Sequence, residues 1–201
     1  MMTNDPLDEY RSLVRNRLSE PRWQHTLSCM EYATDLAIRF GLDIPRIRLA
    51  ALLHDLFRDI DLSEAGEYAA KLGYAADAHE LANPVLLHGP IAALWVEEHL
   101  HIEDAEILEA IRYHTTGAEG LRPLGVILYI ADGLEPLRDF QAARRLRCDL
   151  VRLPLQAAAL MTLEHNLEYL TSRGIPISPK SSAWYRQLQC EERLRSPKGN
   201  I

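Results

Sequence analysis

The sequence has no run approaching the roughly 18 consecutive apolar residues of a membrane-spanning helix, so no membrane span is expected. Basic residues are not in excess. Lys and Arg total 22 against 29 Asp and Glu, a net charge of -7, which makes the surface as a whole a poor grip for nucleic acid or anionic lipid. Cysteine is scarce: Cys29, Cys148 and Cys190 are widely spaced and odd in number. That excludes a disulfide framework and a Cys-x-x-Cys metal knuckle, and it sets the expectation of a reducing cytoplasm. Residues 1–10 are polar and acidic with no apolar stretch, so no secretory signal is expected there. No Gly/Ser-rich linker, low-complexity tract or internal repeat divides the chain. At 201 residues it suits one domain with a substantial core.

Aromatic content is low and strand signals are few, whereas helical periodicity recurs from end to end. Helices are expected over residues 7–18, from Pro21 to near Gly41, 45–57, 63–73, 88–100, 104–114, 124–134, 154–173 and 181–194, with a polar end that frays. Pro21 suits a first helical turn, and Gly41 and Gly174 suit helix ends. Residues 124–134 are apolar on nearly every side, the pattern of a buried helix. The expected fold class is all-α, one compact helical bundle.

The chemistry is concentrated in Ala50-Ala51-Leu52-Leu53-His54-Asp55, an apolar run that ends in two adjacent metal-ligand types. Adjacent helical residues point about 100° apart, so this pair grips one ion only where a helix ends. His25 shares a stripe with Cys29, Tyr32 and Leu36 and should point inward, with Cys29 read as a small buried residue. His88 stands between Leu86-Leu87 and Gly89-Pro90, and His114 closes a helix ahead of Thr115-Thr116-Gly117. Asp132 follows Val126-Ile127-Leu128-Tyr129-Ile130-Ala131, where a carboxylate is costly to bury unless it is paired, protonated or metal-bound. One such residue is more often an ordinary core or capping group. Four histidines and two aspartates at apolar-helix edges point to a metal site, whose imidazole and carboxylate donors suit Fe, Mn, Co, Ni or Zn. His79, His99, His101 and His165 read as surface residues.

The order His25, His54-Asp55, His88, His114, Asp132 resembles the pattern of HD-domain phosphohydrolases. More narrowly, the chain is similar to the bacterial YqeK family of symmetrical diadenosine tetraphosphate hydrolases over about residues 10–175. The likeness is carried by Arg22-Trp23-Gln24-His25, Leu87-His88-Gly89-Pro90, Ile111-Arg112-Tyr113-His114-Thr115-Thr116-Gly117 and Asp132-Gly133-Leu134-Glu135-Pro136-Leu137-Arg138-Asp139-Phe140. It implies an HD-type metal-binding core over about residues 20–135, with C-terminal helices over about 136–195 packed on it. Two departures stand out: Arg58-Asp59 replaces Lys and Asp, and Ala118-Glu119-Gly120-Leu121 replaces a loop with a basic residue.

The resemblance implies two metal ions, iron being expected and Mn, Co or Ni accepted by the same ligands, bridged by Asp55 and a hydroxide. His25, His54 and Asp132 would complete one ion, and His88 and His114 the other. The activity implied is symmetrical hydrolysis of diadenosine tetraphosphate to two ADP. Arg58 is the first expected phosphate contact, followed by Arg22, Arg112 and Arg138. Thr115 and Thr116 would bind phosphate oxygens or cap the broken helix, and Asp59 would donate a proton or pair with Arg58, the pairing being favoured. A homodimer is the family expectation. The competing readings are an HD-type nucleotidase acting on mononucleotides, a non-catalytic nucleotide-binding regulator, and a scaffold with core histidines.

Overall fold

The computed structural model describes residues 7–195. The expectations for residues 1–6 and for a fraying end beyond Arg195 lie outside the described residues. Among the described residues there are eleven α-helices and one 3-10 turn, with no strand. The first two helices are α1 (Asp8–Arg15) and α2 (Glu20–Phe40). Pro21 lies in the first turn of α2, and Gly41 ends it at φ 68, a left-handed conformation that glycine adopts without a Cβ clash. Asp43 starts α3 (Ile44–Leu53) by accepting the Arg46 amide at 3.0 Å. Then follow α4 (Ala65–Lys71), α5 (Ala78–Ala82), the 3-10 turn Pro84–Leu87, α6 (His88–Leu100) and α7 (Ala105–Tyr113). The chain closes with α8 (Pro123–Leu134), α9 (Gln141–Leu150), α10 (Leu155–Ser172) and α11 (Pro179–Arg195).

Helix α8 is the axis of the bundle. Every residue from Leu124 to Ala131 is buried, and the helix packs against α2, α7 and α10. Helix α3 lies between α2 and α7. It is fastened at its solvent edge by Arg46, whose Nε and Nη2 donate to Asp104 at 2.7 and 2.6 Å. Asp104 also caps α7 through the Glu106 and Ile107 amides. One acidic residue therefore starts one helix and holds another beside it.

Helix α11 closes over the turn that follows α7. Trp184 is buried against Gly117, where an added Cβ would stand 1.9 Å from the indole ring. Ser181 donates to the Thr116 carbonyl at 2.8 Å, and Lys180 reaches Asp77 and Glu80 at 2.8 and 2.7 Å. Two α-helices and the 3-10 turn were not expected. The short α5 starts on a capping box between Asp77 and Glu80, and α9 buries only Ala143 and Leu150. Helix α3 also stops at Leu53, four residues short of the expected Phe57, because the chain leaves helical hydrogen bonding at His54.

Candidate metal centre

Five helices each deliver one part of the site. His25 lies on the inner face of α2, while His54 and Asp55 follow the last residue of α3. His88 opens α6, His114 caps the end of α7, and Asp132 occupies the last turn of α8. The first five are buried, and Asp132 keeps 19% of its side chain exposed. The break in helix at Leu53 lets two neighbouring residues face the same space, as a vicinal ligand pair requires.

Asp55 is the centre of the arrangement. Its Oδ2 is 3.8 Å from His25 Nε2 and 3.7 Å from His54 Nε2. Its Oδ1 is 3.2 Å from His88 Nε2 and 3.5 Å from His114 Nε2. Each carboxylate oxygen thus serves its own pair of imidazoles, and the two trios sharing Asp55 are each compact enough to hold an ion. Asp132 Oδ1 joins the first trio at 3.0 Å from His25 Nε2.

The outer ring nitrogens explain why the inner ones are free to coordinate. His54 and His114 turn Nδ1 to the carbonyls of Ala51 and Ile111, both at 2.7 Å. His88 does the same toward Val85. Donation from Nδ1 leaves a lone pair on Nε2. His88 Nε2 and His114 Nε2 then face each other at 2.9 Å, a contact that two bare lone pairs do not tolerate and that a shared proton or a metal ion would relieve. His54 Nε2 is buried with no hydrogen-bond partner. These residues fit a pair of divalent ions.

The four imidazoles divide in their ionisation, His114 being raised, against burial, by its hydrogen bond to Asp55. Burial lowers His54 to about 4, and burial likewise lowers His88, so both are neutral donors at neutral pH. Burial also pulls His25 down, but hydrogen bonds to Asp132 and Glu135 prevail and push it up to about 9. Burial would raise Asp55, yet the surrounding His54, His114 and His88 hold it well below the carboxylate range. Asp132 is likewise held low against burial, by His25 and Arg138. Ionised carboxylates surrounded by imidazoles call for positive charge at the centre.

Arg22 borders the centre, with Nη1 4.0 Å from Asp55 Oδ2 and Nε 3.9 Å from Asp59 Oδ1. Arg58 is half-buried, and burial together with the adjacent Arg22 charge lowers its pKa. The favoured pairing of Asp59 with Arg58 is not formed. Asp59 faces Arg22 and accepts the Ser19 amide at 2.9 Å, because its carboxylate turns toward the start of α2. Arg138 donates to the Asp132 carbonyl at 2.6 Å and to its Oδ1 at 3.1 Å, so it steadies a ligand-type side chain. Thr115 is exposed, with Oγ1 3.0 Å from His114 Nε2 and 3.3 Å from His88 Nε2. Thr116 is buried and donates to the Gly117 carbonyl. Among the described residues Arg112 forms no ion pair, and its Nε is buried without a hydrogen-bond partner.

A family model described as HD domain matches residues 22–137, a span that takes in all six of the converging residues. The chain belongs to the HD domain family. It is 35% identical over 181 residues to a protein of Halalkalibacterium halodurans named symmetrical Bis(5'-nucleosyl)-tetraphosphatase, covering 90% of this chain and 96% of the relative. A Bacillus subtilis protein of the same name is 32% identical over 182 residues, again covering 90% and 96%. A solved structure from Clostridium acetobutylicum is described as a predicted HD superfamily hydrolase involved in NAD metabolism. It superposes with a TM-score of 0.87 at 28% identity, over 93% of this chain and 98% of that one.

Within the matched span the Asp55 carboxylate is enclosed by His25, His54, His88 and His114, with Asp132 against His25. One group was missed from the sequence. Glu135 is buried, with Oε1 3.1 Å from His25 Nδ1. The available signal was a second acidic residue three positions after Asp132, at the end of an apolar helix, a place where an unpartnered carboxylate is costly.

Proposed function

We propose that this HD domain protein hydrolyses diadenosine tetraphosphate symmetrically, yielding two ADP with two divalent metal ions, iron by expectation. The observation that carries the reading is Asp55 lying between two histidine pairs, one carboxylate oxygen to each pair. The name shared by the Halalkalibacterium halodurans and Bacillus subtilis relatives supports the substrate class. His25, His54 and Asp132 would hold one ion, His88 and His114 the other, with Asp55 common to both. Such a pair of ions supplies a nucleophilic hydroxide at neutral pH and neutralises charge on the phosphoryl oxygens.

The remaining residues provide the phosphate grip that a net charge of -7 cannot provide in bulk. Arg22 and Arg58 lie beside the Asp55 face and repel one another, a tension that a phosphate oxygen between them would relieve. Thr115 presents its hydroxyl at the mouth of the His88–His114 side. Arg112 and Arg138 are further phosphate contacts, Arg138 acting mainly through Asp132. Asp59 orients Arg22. In symmetrical cleavage, water adds to one of the two central phosphorus atoms and the bridging P–O bond breaks. One ADP keeps the water oxygen, and the other leaves with the bridging oxygen.

The test is incubation of metal-replete protein with diadenosine tetraphosphate and separation of the nucleotides. ADP as the sole product is expected. ATP with AMP would overturn the symmetrical assignment, and no turnover by metal-bound protein would overturn the substrate class.

A further inference from the structure

The four histidines do not anchor their outer nitrogens in the same way. His54 and His114 sit just past helix ends and His88 just past a 3-10 turn. Each therefore reaches the carbonyl three residues back, a group that helix ends leave short of partners. His25 lies inside α2, where the preceding carbonyls are engaged in the helix ladder. Its Nδ1 turns instead to Glu135, beyond the end of α8.

Glu135 is built for that contact. Its Oε2 accepts the Leu137 amide at 2.6 Å, and Ser28 supplies a further hydrogen bond. Arg147 reaches the Leu134 and Glu135 carbonyls at 2.9 and 3.3 Å, pinning the chain that carries it. The carboxylate is therefore fixed, buried and aimed at one ring nitrogen. A charged acceptor behind a ligating imidazole makes it a stronger donor than a neutral carbonyl does. Two carboxylates, Asp132 and Glu135, thus stand on the His25–His54 side, balanced in part by Arg138. On the His88–His114 side the outer partners are neutral carbonyls, and only the hydroxyl of Thr115 adds to them.

We infer that Glu135 is a positioning residue that makes the two metal positions unequal, so that the His25–His54–Asp132 position fills first and holds its ion more tightly than the His88–His114 position. This rests on the two-ion reading above. The test is calorimetric titration of metal-free full-length protein with Mn(II), comparing the parent with Glu135→Gln and Glu135→Leu. Two steps of different affinity are expected for the parent. Glu135→Gln keeps an acceptor oxygen but removes the charge, and should weaken the tighter step by about 10- to 100-fold. Glu135→Leu should weaken it further, and the looser step should move in neither variant. A residue that merely supports the fold would shift both steps together, so the unmoved step reports intact structure. Two equal steps in the parent, or an unshifted tight step in both variants, would overturn the inference. A single ion, bound more weakly in both variants, would uphold Glu135 and overturn the two-ion reading.

Discussion

Asp55→Asn should leave a folded protein that hydrolyses its substrate about 10,000-fold more slowly and retains no more than one ion per chain. The substitution keeps the shape of the side chain and removes its charge. An amide offers one oxygen, whereas Asp55 directs separate oxygens at His25 with His54 and at His88 with His114. One histidine pair must then lose its carboxylate, and the shared charge that holds two cations close together is gone. Metal ions contribute several kcal/mol to stabilising phosphoryl transition states, and about 1.36 kcal/mol corresponds to tenfold in rate. The checks are kcat with diadenosine tetraphosphate, metal content by elemental analysis, and far-ultraviolet dichroism for the fold. A variant within tenfold of the parent would show that Asp55 does not bridge the site.

Gly89→Ala should have the second-largest effect, although residue 89 carries no functional group. The start of α6 passes so close to the end of α7 that a Cβ at Gly89 would stand 2.9 Å from the Arg112 carbonyl oxygen and 3.1 Å from that of Ile111. Both obstacles are backbone and cannot rotate away, so α6 has to move. His88 is the adjacent residue, and its Nε2 must stay close to His114 Nε2, 2.9 Å away. Metal ligation tolerates errors of only about 0.2 Å, and a 1 Å misplacement can cost roughly 100-fold in rate. The expected result is a fall of about 100-fold in kcat with the ion on the His88–His114 side lost. Overpacking of about 1–3 kcal/mol should also lower Tm by roughly 2–4 °C for each kcal/mol. Gly66→Ala is the control, since its added carbon meets only Leu81 Cδ2, at an ordinary 3.5 Å. Activity and melting temperature unchanged in Gly89→Ala would refute this account of the α6–α7 contact.

The helices that build the site were legible because their signals are strong. Helix α8 is apolar all round, α2 is bracketed by Pro21 and Gly41, and α7 starts on Asp104. Polar ligand types at the ends of such helices stand out, and for that reason His54-Asp55, His88, His114 and Asp132 could be singled out before their convergence was known. That they surround one carboxylate could not be read from spacing alone. It depends on packing between helices far apart in the chain, and the family resemblance supplied it. Helix α5 went unread although Asp77 and Glu80 form a legible capping box, because five residues give no periodicity. Helix α9 went unread because only Ala143 and Leu150 of its ten residues are buried, leaving almost no apolar stripe. Asp59 was assigned to its neighbour Arg58 when its partners lie on α2 and the turn before it, a pairing that only tertiary structure creates. Glu135 was passed over for the same reason, its partner being 110 residues away.

The most direct test of the central claim is anomalous diffraction from crystals of the protein loaded with Mn(II). Two peaks flanking the Asp55 carboxylate are predicted, one in contact with His25, His54 and Asp132 and the other with His88 and His114. A single peak, or peaks that do not touch Asp55, would contradict the two-ion centre.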